Sequence, residues 1–247
     1  MGTRRISAGL AAAVGAVVLV GCVVPAFTGS PPPAPGDLTT DELTHLVKGA
    51  RPRTYNCESA TRVDLDGQSL VLEESSSHDL RDAAVERSRT TVRVRGVGES
   101  LSTEFISIGD DTFVRGDGVV EQGAGNGWAR IDTALLASSF EPPPLPDVYA
   151  WILTSLDGAE AAEFVGDEAV DGDPVARYGV TLNADAMAGP GMSDSGPGSH
   201  VEVWVDGTGL IRKLSVETSF ARMTATWSGF NQPVAVEAPK TWVEMSR

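Results

Sequence analysis

The sulfur of Cys22 is the group whose neighbours most clearly specify a reaction. Arg4 and Arg5 precede an apolar run that begins at Ala8, and the run leads into Leu19-Val20-Gly21-Cys22. A positive stretch, an apolar stretch and small residues at a cut site make a secretory signal. A cysteine directly after the small residue makes a lipobox. Cleavage before Cys22 would leave its sulfur in a thioether to a diacylglyceryl group with palmitate-type chains. One buried acyl chain holds a protein only marginally, at about 0.8 kcal/mol per CH2, and two hold it stably. The rival is an uncleaved transmembrane helix, because the almost wholly apolar run from Ala8 to Phe27 is about long enough to span a bilayer. Pro25, the many weakly hydrophobic Ala and Gly residues and the Leu-Val-Gly-Cys order favour the lipobox. Either anchor makes the membrane a partner and puts the rest of the chain on the extracytoplasmic side.

Beyond Cys22 the chain carries no catalytic constellation. His45, His78 and His200 are far apart and lack ligand spacing. Gly191-Met192-Ser193-Asp194-Ser195 is not a nucleophile elbow, since no strand precedes it. Gly123 to Gly127 lacks the strand–helix unit of a nucleotide loop. Asp110-Asp111, and Asp171 with Asp173, fall in expected hairpin turns, where backbone demands explain them. They fall short of a calcium-loop pattern. No catalytic residue, metal ligand or cofactor is assigned, and the chain reads as non-enzymatic. With Cys22 lipidated, Cys57 has no partner within the chain. A lone exported thiol pairs with another chain, reacts, or is buried as a small hydrophobe. The absence of a nearby His or second Cys favours burial.

Charge narrows the partners. Loss of residues 1–21 removes Arg4 and Arg5 and no acid, taking the formal charge from −15 to −17. Such a surface repels phosphate backbones and anionic leaflets, so nucleic acid is excluded as a partner. Residues 22–37, with Pro31-Pro32-Pro33-Ala34-Pro35-Gly36, read as an extended tether. Residues 38–247 then suit one β-rich domain. The Pro-rich stretch Glu141–Pro146 reads as a stiff connection inside it.

The elements follow from periodicity. Thr39-Thr40-Asp41-Glu42 is a capping box for a helix carrying Leu43, Leu46, Val47 and Ala50 on one stripe and stopped by Pro52. Strand alternation follows around Thr61–Leu65, Leu70–Leu72, Thr90–Gly96, Glu104–Ile108, Thr112–Arg115 and Trp128–Ile131. Residues 133–140 and 147–156 read as helical, the second with Val148, Trp151, Ile152 and Leu156 on one stripe. Strands return at Ala162–Glu168 and Val175–Leu182, and residues 186–199 read as a mobile loop. A closing meander sets Val201, Val203 and Val205, then Leu214 and Val216, then Met223, Ala225 and Trp227 on one face. An antiparallel sheet with one apolar face needs a cover, and the helices supply it.

Three late segments carry a family resemblance. Gly166–Gly172 followed by Ala176–Leu182, Val203–Lys213, and Trp227–Val234 with Glu237-Ala238-Pro239 are similar to the hairpins and closing strand of the LppX/LprG-type lipoproteins of actinobacteria, which share the LolA/LolB fold. Ser75–Arg89, unusually polar, and residues 186–199 depart from that pattern. The resemblance implies an α+β fold: a strongly curved antiparallel half-barrel with a few helices covering its apolar concave face. It also implies that an acylated lipid or lipoglycan is held in the cavity and moved through the envelope. The 133–140 turn, the Pro-rich connection and the 147–156 helix are then the candidate lid, with Val148, Trp151, Ile152 and Leu156 as candidate lipid contacts. The same side chains would instead fill the concavity in an envelope interaction or sensor domain that acts through a protein partner. Cys22→Ala is expected to abolish detergent-phase partition and membrane retention in a phase-separation assay, whereas retention of both would support the transmembrane helix.

Overall fold

From Thr54 onward the period-two alternation produces strands that join one sheet. The computed structural model describes residues 34–65, 68–82, 85–96, 100–117, 127–131, 147–183, 186 and 200–244, all within one compact unit, Pro31–Arg247. The expected signal segment, most of the expected tether, Asp66-Gly67, the stretch 133–140 expected to be helical, the expected 141–146 connection and the expected 186–199 loop apart from Ala186 lie outside the described residues. Among those described, no helix is long and apolar enough to cross a membrane.

Helix α1 spans Thr40–Gly49. The strands are β1 (Thr54–Leu65), β2 (Gln68–Asp79), β3 (Arg87–Arg95), β4 (Leu101–Ile108), β5 (Asp111–Gly116), β6 (Trp128–Ile131), β7 (Ala159–Val170), β8 (Asp173–Leu182), β9 (His200–Asp206), β10 (Ile211–Glu217), β11 (Ala221–Ser228) and β12 (Trp242–Glu244). Helix α2 (Val148–Ser155) precedes β7 and runs into a 3-10 turn, Leu156–Gly158.

The strand order is β12-β6-β5-β4-β3-β2-β1-β11-β10-β9-β8-β7. Two meanders, β1 to β6 and β7 to β11, therefore share a seam where β1 pairs antiparallel with β11. The sheet is curled and unclosed. One pair departs from the antiparallel expectation: β12 runs parallel to β6. A parallel pair needs a long return, and the tail from Asn231 to Thr241 supplies it, pressing Val234 and Val236 onto Ile106, Phe113 and Trp128 of the outer face.

The strands are longer than the alternation predicts. β1 begins at Thr54 and β2 runs to Asp79, because twelve paired positions between them hold even the polar Ser75–Asp79 stretch in the ladder. Turn chemistry sets register elsewhere. Asp171 (φ 52°) and Gly172 (φ 88°) join β7 to β8 as a two-residue turn with both φ angles positive, the twist that suits a hairpin.

The core lies on the inner face. Leu43 and Val47 of α1 and Val148, Ile152 and Leu156 of α2 and its 3-10 turn pack with Val201, Val203, Leu214, Val216 and Trp227. The predicted capping box is present: Thr39 Oγ1 accepts from Glu42 N, and the Glu42 carboxylate accepts from Thr39 N at 2.9 Å. Thr40 Oγ1 accepts from Ala162 N of β7. The chain is already docked before α1, since Ala34 packs on the core and Tyr178 donates its hydroxyl to the Gly36 carbonyl. Gly209, in the β9–β10 turn at φ +86°, lets α1 approach closely, because a Cβ there would lie 2.5 Å from the Leu46 carbonyl oxygen. Gly209→Ala is expected to cost about 1–3 kcal/mol, from strain at positive φ and displacement of α1. The check is a lower midpoint in urea without a change in slope.

Candidate functional site

The inner face divides into two chemically different halves. Beside the seam, Tyr55, Cys57 and Ser59 of β1 stand opposite His78, Ser76 and Glu74 of β2. On the β11 side of the seam the lining is Val, Leu, Met and Trp. On the β2 side the same rows bring in Ser88 and Thr90 of β3 and Thr112 of β5 beside Leu72, Phe105 and Val114. Both described helices pack against the apolar half.

A cleft of about 740 Å3 opens where the end of α1, the start of β1 and α2 converge. This is within the range of small-ligand sites. Tyr55, Leu80, Tyr149, Ala150 and Leu153 form its apolar wall, and Lys48, Arg51 and Arg53 stand with Asp147 and Asp157 at its edge. A second recess of about 400 Å3 shares Arg51 and Arg53 and adds Arg81. Lys48 pairs with Asp157, and Arg81 with Asp79 at 2.6 Å. Arg51 and Arg53 are exposed and form no salt bridge with the described residues. In a strongly acidic chain this is a local reversal of charge.

The position of α2 follows from its own sequence. Asp147 caps it, accepting from Tyr149 N at 2.9 Å through one oxygen and from the Tyr55 hydroxyl through the other. Val148, Ile152 and Leu156 point into the core, and Trp151 is partly buried against it. These four predicted residues are thus brought together, but none lines the cleft, whose wall comes from the adjacent flank of the same helix. Tyr149, absent from the predicted stripe, packs edge-on against Trp227 at 5.3 Å and lies 5.2 Å from Tyr55. Cys22 lies outside the described residues. Cys57 is buried as expected, and burial pushes its thiol well above the usual range.

The polar half holds a carboxyl group that the alternation did not reveal. Glu74 faces inward, and burial pushes it up to about 7. Asp147 and Glu58 add to this rise, while His78 and the Ser76 hydrogen bond oppose it. The polarity of Ser75–Arg89, a departure from the family pattern, was the available signal: His78 and Glu86 come from that stretch and meet Asp147 beside the cleft.

The likeness to known proteins is one of structure. No protein-family model matches the chain, and no curated protein matches it by sequence. LprF from Mycobacterium bovis superposes over 85% of this chain and 99% of its own at 12% identity, with a TM-score of 0.60. Lipoprotein LppX from Mycobacterium tuberculosis covers 79% of this chain and 98% of its own at 16% identity, with a TM-score of 0.51. The chain has the fold of LprF and LppX. The LolA superfamily protein NE2245 from Nitrosomonas europaea is more distant, at 9% identity and a TM-score of 0.27 over 80% of this chain and 95% of its own. The half-barrel expected from the late hairpins is therefore present, and identities this low extend the likeness to fold alone.

Glu74 gives a pH dependence with a definite sign. Its folded pKa, about 7, exceeds the value near 4.3 of a free Glu, so the native state keeps a proton that the unfolded chain has lost between those values. The resulting stability is complete below about pH 4.3 and is lost as pH rises through 7. Glu74→Gln is expected to raise stability at pH 8 by on the order of 1–3 kcal/mol. It should leave stability at pH 4 nearly unchanged. Urea unfolding at a series of pH values checks this, with an unaltered pH slope as the opposing result.

Proposed function

We propose that this protein is an extracytoplasmic lipoprotein, anchored through Cys22, that binds lipids non-covalently between its sheet and its helical cover. The observation that carries the reading is the cleft beside α2, apolar on its wall and basic at its edge, in a fold shared with the lipoprotein LppX. Acyl chains leave water when Tyr55, Leu80, Ala150 and Leu153 receive them, and this needs no covalent step. Arg51 and Arg53 suit an anionic headgroup, such as that of a phospholipid or lipoglycan. In this reading Val148, Ile152 and Leu156 seat the cover helix, and movement of α2 about that seat admits the chains that Trp151 and Leu153 then meet. Transfer within the envelope follows from an anchored carrier that releases its cargo.

A second reading has one specific observation in its favour. Val148, Ile152 and Leu156 are buried in the core, as a filled interior requires, and a filled domain would act on a protein partner in the envelope through its surface.

Residues 31–247, which retain the docked segment before α1, are the species to test. Native mass spectrometry is expected to find one co-purifying lipid per chain, and fluorescent acyl probes should bind after delipidation. Leu153→Trp should reduce probe uptake severalfold by filling the cleft. Arg51→Ser with Arg53→Ser should weaken anionic probes more than neutral ones. An empty protein that takes up no probe, yet crosslinks to one dominant partner in cells, would leave the second reading in place.

A further inference from the structure

His78 is out of keeping with its surroundings. Only 6% of the residue is exposed, and its Nδ1 has no hydrogen-bond partner among the described residues. A buried polar atom left unpaired is destabilising, so the groups facing it matter. Glu86 Oε1 lies 3.7 Å from Nδ1. Asp147 completes a set whose three ligand atoms all fall within 4.8 Å of one another. The three residues come from β2, from the connection into β3 and from the N-cap of α2.

The neighbours of this set orient it. His78 Nε2 lies 3.1 Å from Ser76 Oγ. Assigning the ring proton to Nε2, as a donor to that oxygen, leaves a lone pair on Nδ1 directed toward the acids. Tyr55 stacks on the imidazole at 4.6 Å with an 18° interplanar angle, and its hydroxyl donates to Asp147. A metal-binding histidine is held in this way, by a hydrogen bond at the nitrogen that does not face the ion, and each Asp147 oxygen, though it accepts one hydrogen bond, keeps a further lone pair. A nitrogen lone pair facing two carboxylates is repulsive unless a positive charge lies between them.

We propose that His78, Glu86 and Asp147 bind one divalent cation of the Zn2+ type. An imidazole nitrogen with two carboxylates matches the mixed N/O chemistry of zinc and leaves a fourth position open. Calcium and magnesium call for oxygen ligands throughout. Bonds of about 2.0 Å set tetrahedral ligands about 3.3 Å apart, so the set must contract on binding. The Glu86 side chain, 59% exposed, has the freedom to close that distance. The bound ion joins the start of α2 to the β2–β3 hairpin at the side of the cleft, fixing the cover helix to the polar half of the sheet. The site stands independently of the lipid reading.

The test is Zn2+ binding to the full chain in detergent after EDTA treatment and dialysis, measured by competition with a chromogenic chelator and by metal analysis. The expected result is one Zn2+ per chain and a melting temperature raised by several degrees at saturation. Glu86→Gln and Asp147→Asn should each weaken binding at least tenfold. The first changes an exposed side chain and the second keeps an N-cap acceptor, so circular dichroism should show both folded. Absence of stoichiometric binding would overturn the site, as would unchanged affinity in both variants or equal affinity for Mg2+ and Zn2+.

Discussion

The burial of α2 against the inner face of the sheet is the contact on which much of the structure depends. β6 lies next to one edge and β7 forms the other. The apolar half of the inner face needs cover, and α2, which leads into β7, supplies it together with α1. Val148, Ile152 and Leu156 of α2 meet the apolar half of the sheet, and its capping Asp147 is left where the polar half begins. The cleft and the His78 cluster both arise at this junction.

The two halves of the inner face are the consequence of two meanders sharing one seam. β8 to β11 form a continuous Val, Leu, Met and Trp surface that α1 and α2 cover completely enough to exclude water from Val203, Leu214 and Trp227. β2 to β5 carry Ser, Thr, His and Glu at the matching positions, and a face of that kind packs poorly as an aliphatic core. It is better suited to interior surface that meets a ligand, water or an ion. The raised Glu74 carboxyl and His78 Nδ1, which no described residue hydrogen-bonds, belong to this half.

The outer face explains how so acidic a chain stays folded. Glu104 sits between Arg89 and Arg115, and Glu202 and Glu168 flank Arg177, which with Lys213 covers the Trp204 ring. Trp204 falls on the polar side of its strand in the alternation, and these cations are what bury it there. Each exposed pair contributes little alone, but arranged across strands they place opposite charges side by side. The alternation that supports this ladder is met by many side-chain choices, which is consistent with 12–16% identity to LprF and LppX across most of their length.

What the sequence determined by itself is local. The capping box at Thr39 and Glu42, the Asp171-Gly172 turn and the one-faced strands of the closing meander each depend on residues a few positions apart, where backbone geometry alone assigns a meaning. Tertiary structure decided what lies across the sheet. It ran β2 through the polar Ser75–Asp79 stretch, paired β12 parallel to β6, turned the Val148 stripe into the core while its neighbouring flank lined the cleft, and brought His78 and Glu86 to Asp147. Those outcomes depend on register and on packing between elements distant in the sequence. Both are settled by the summed pairing and burial of many residues, so the identity of any one residue does not disclose them.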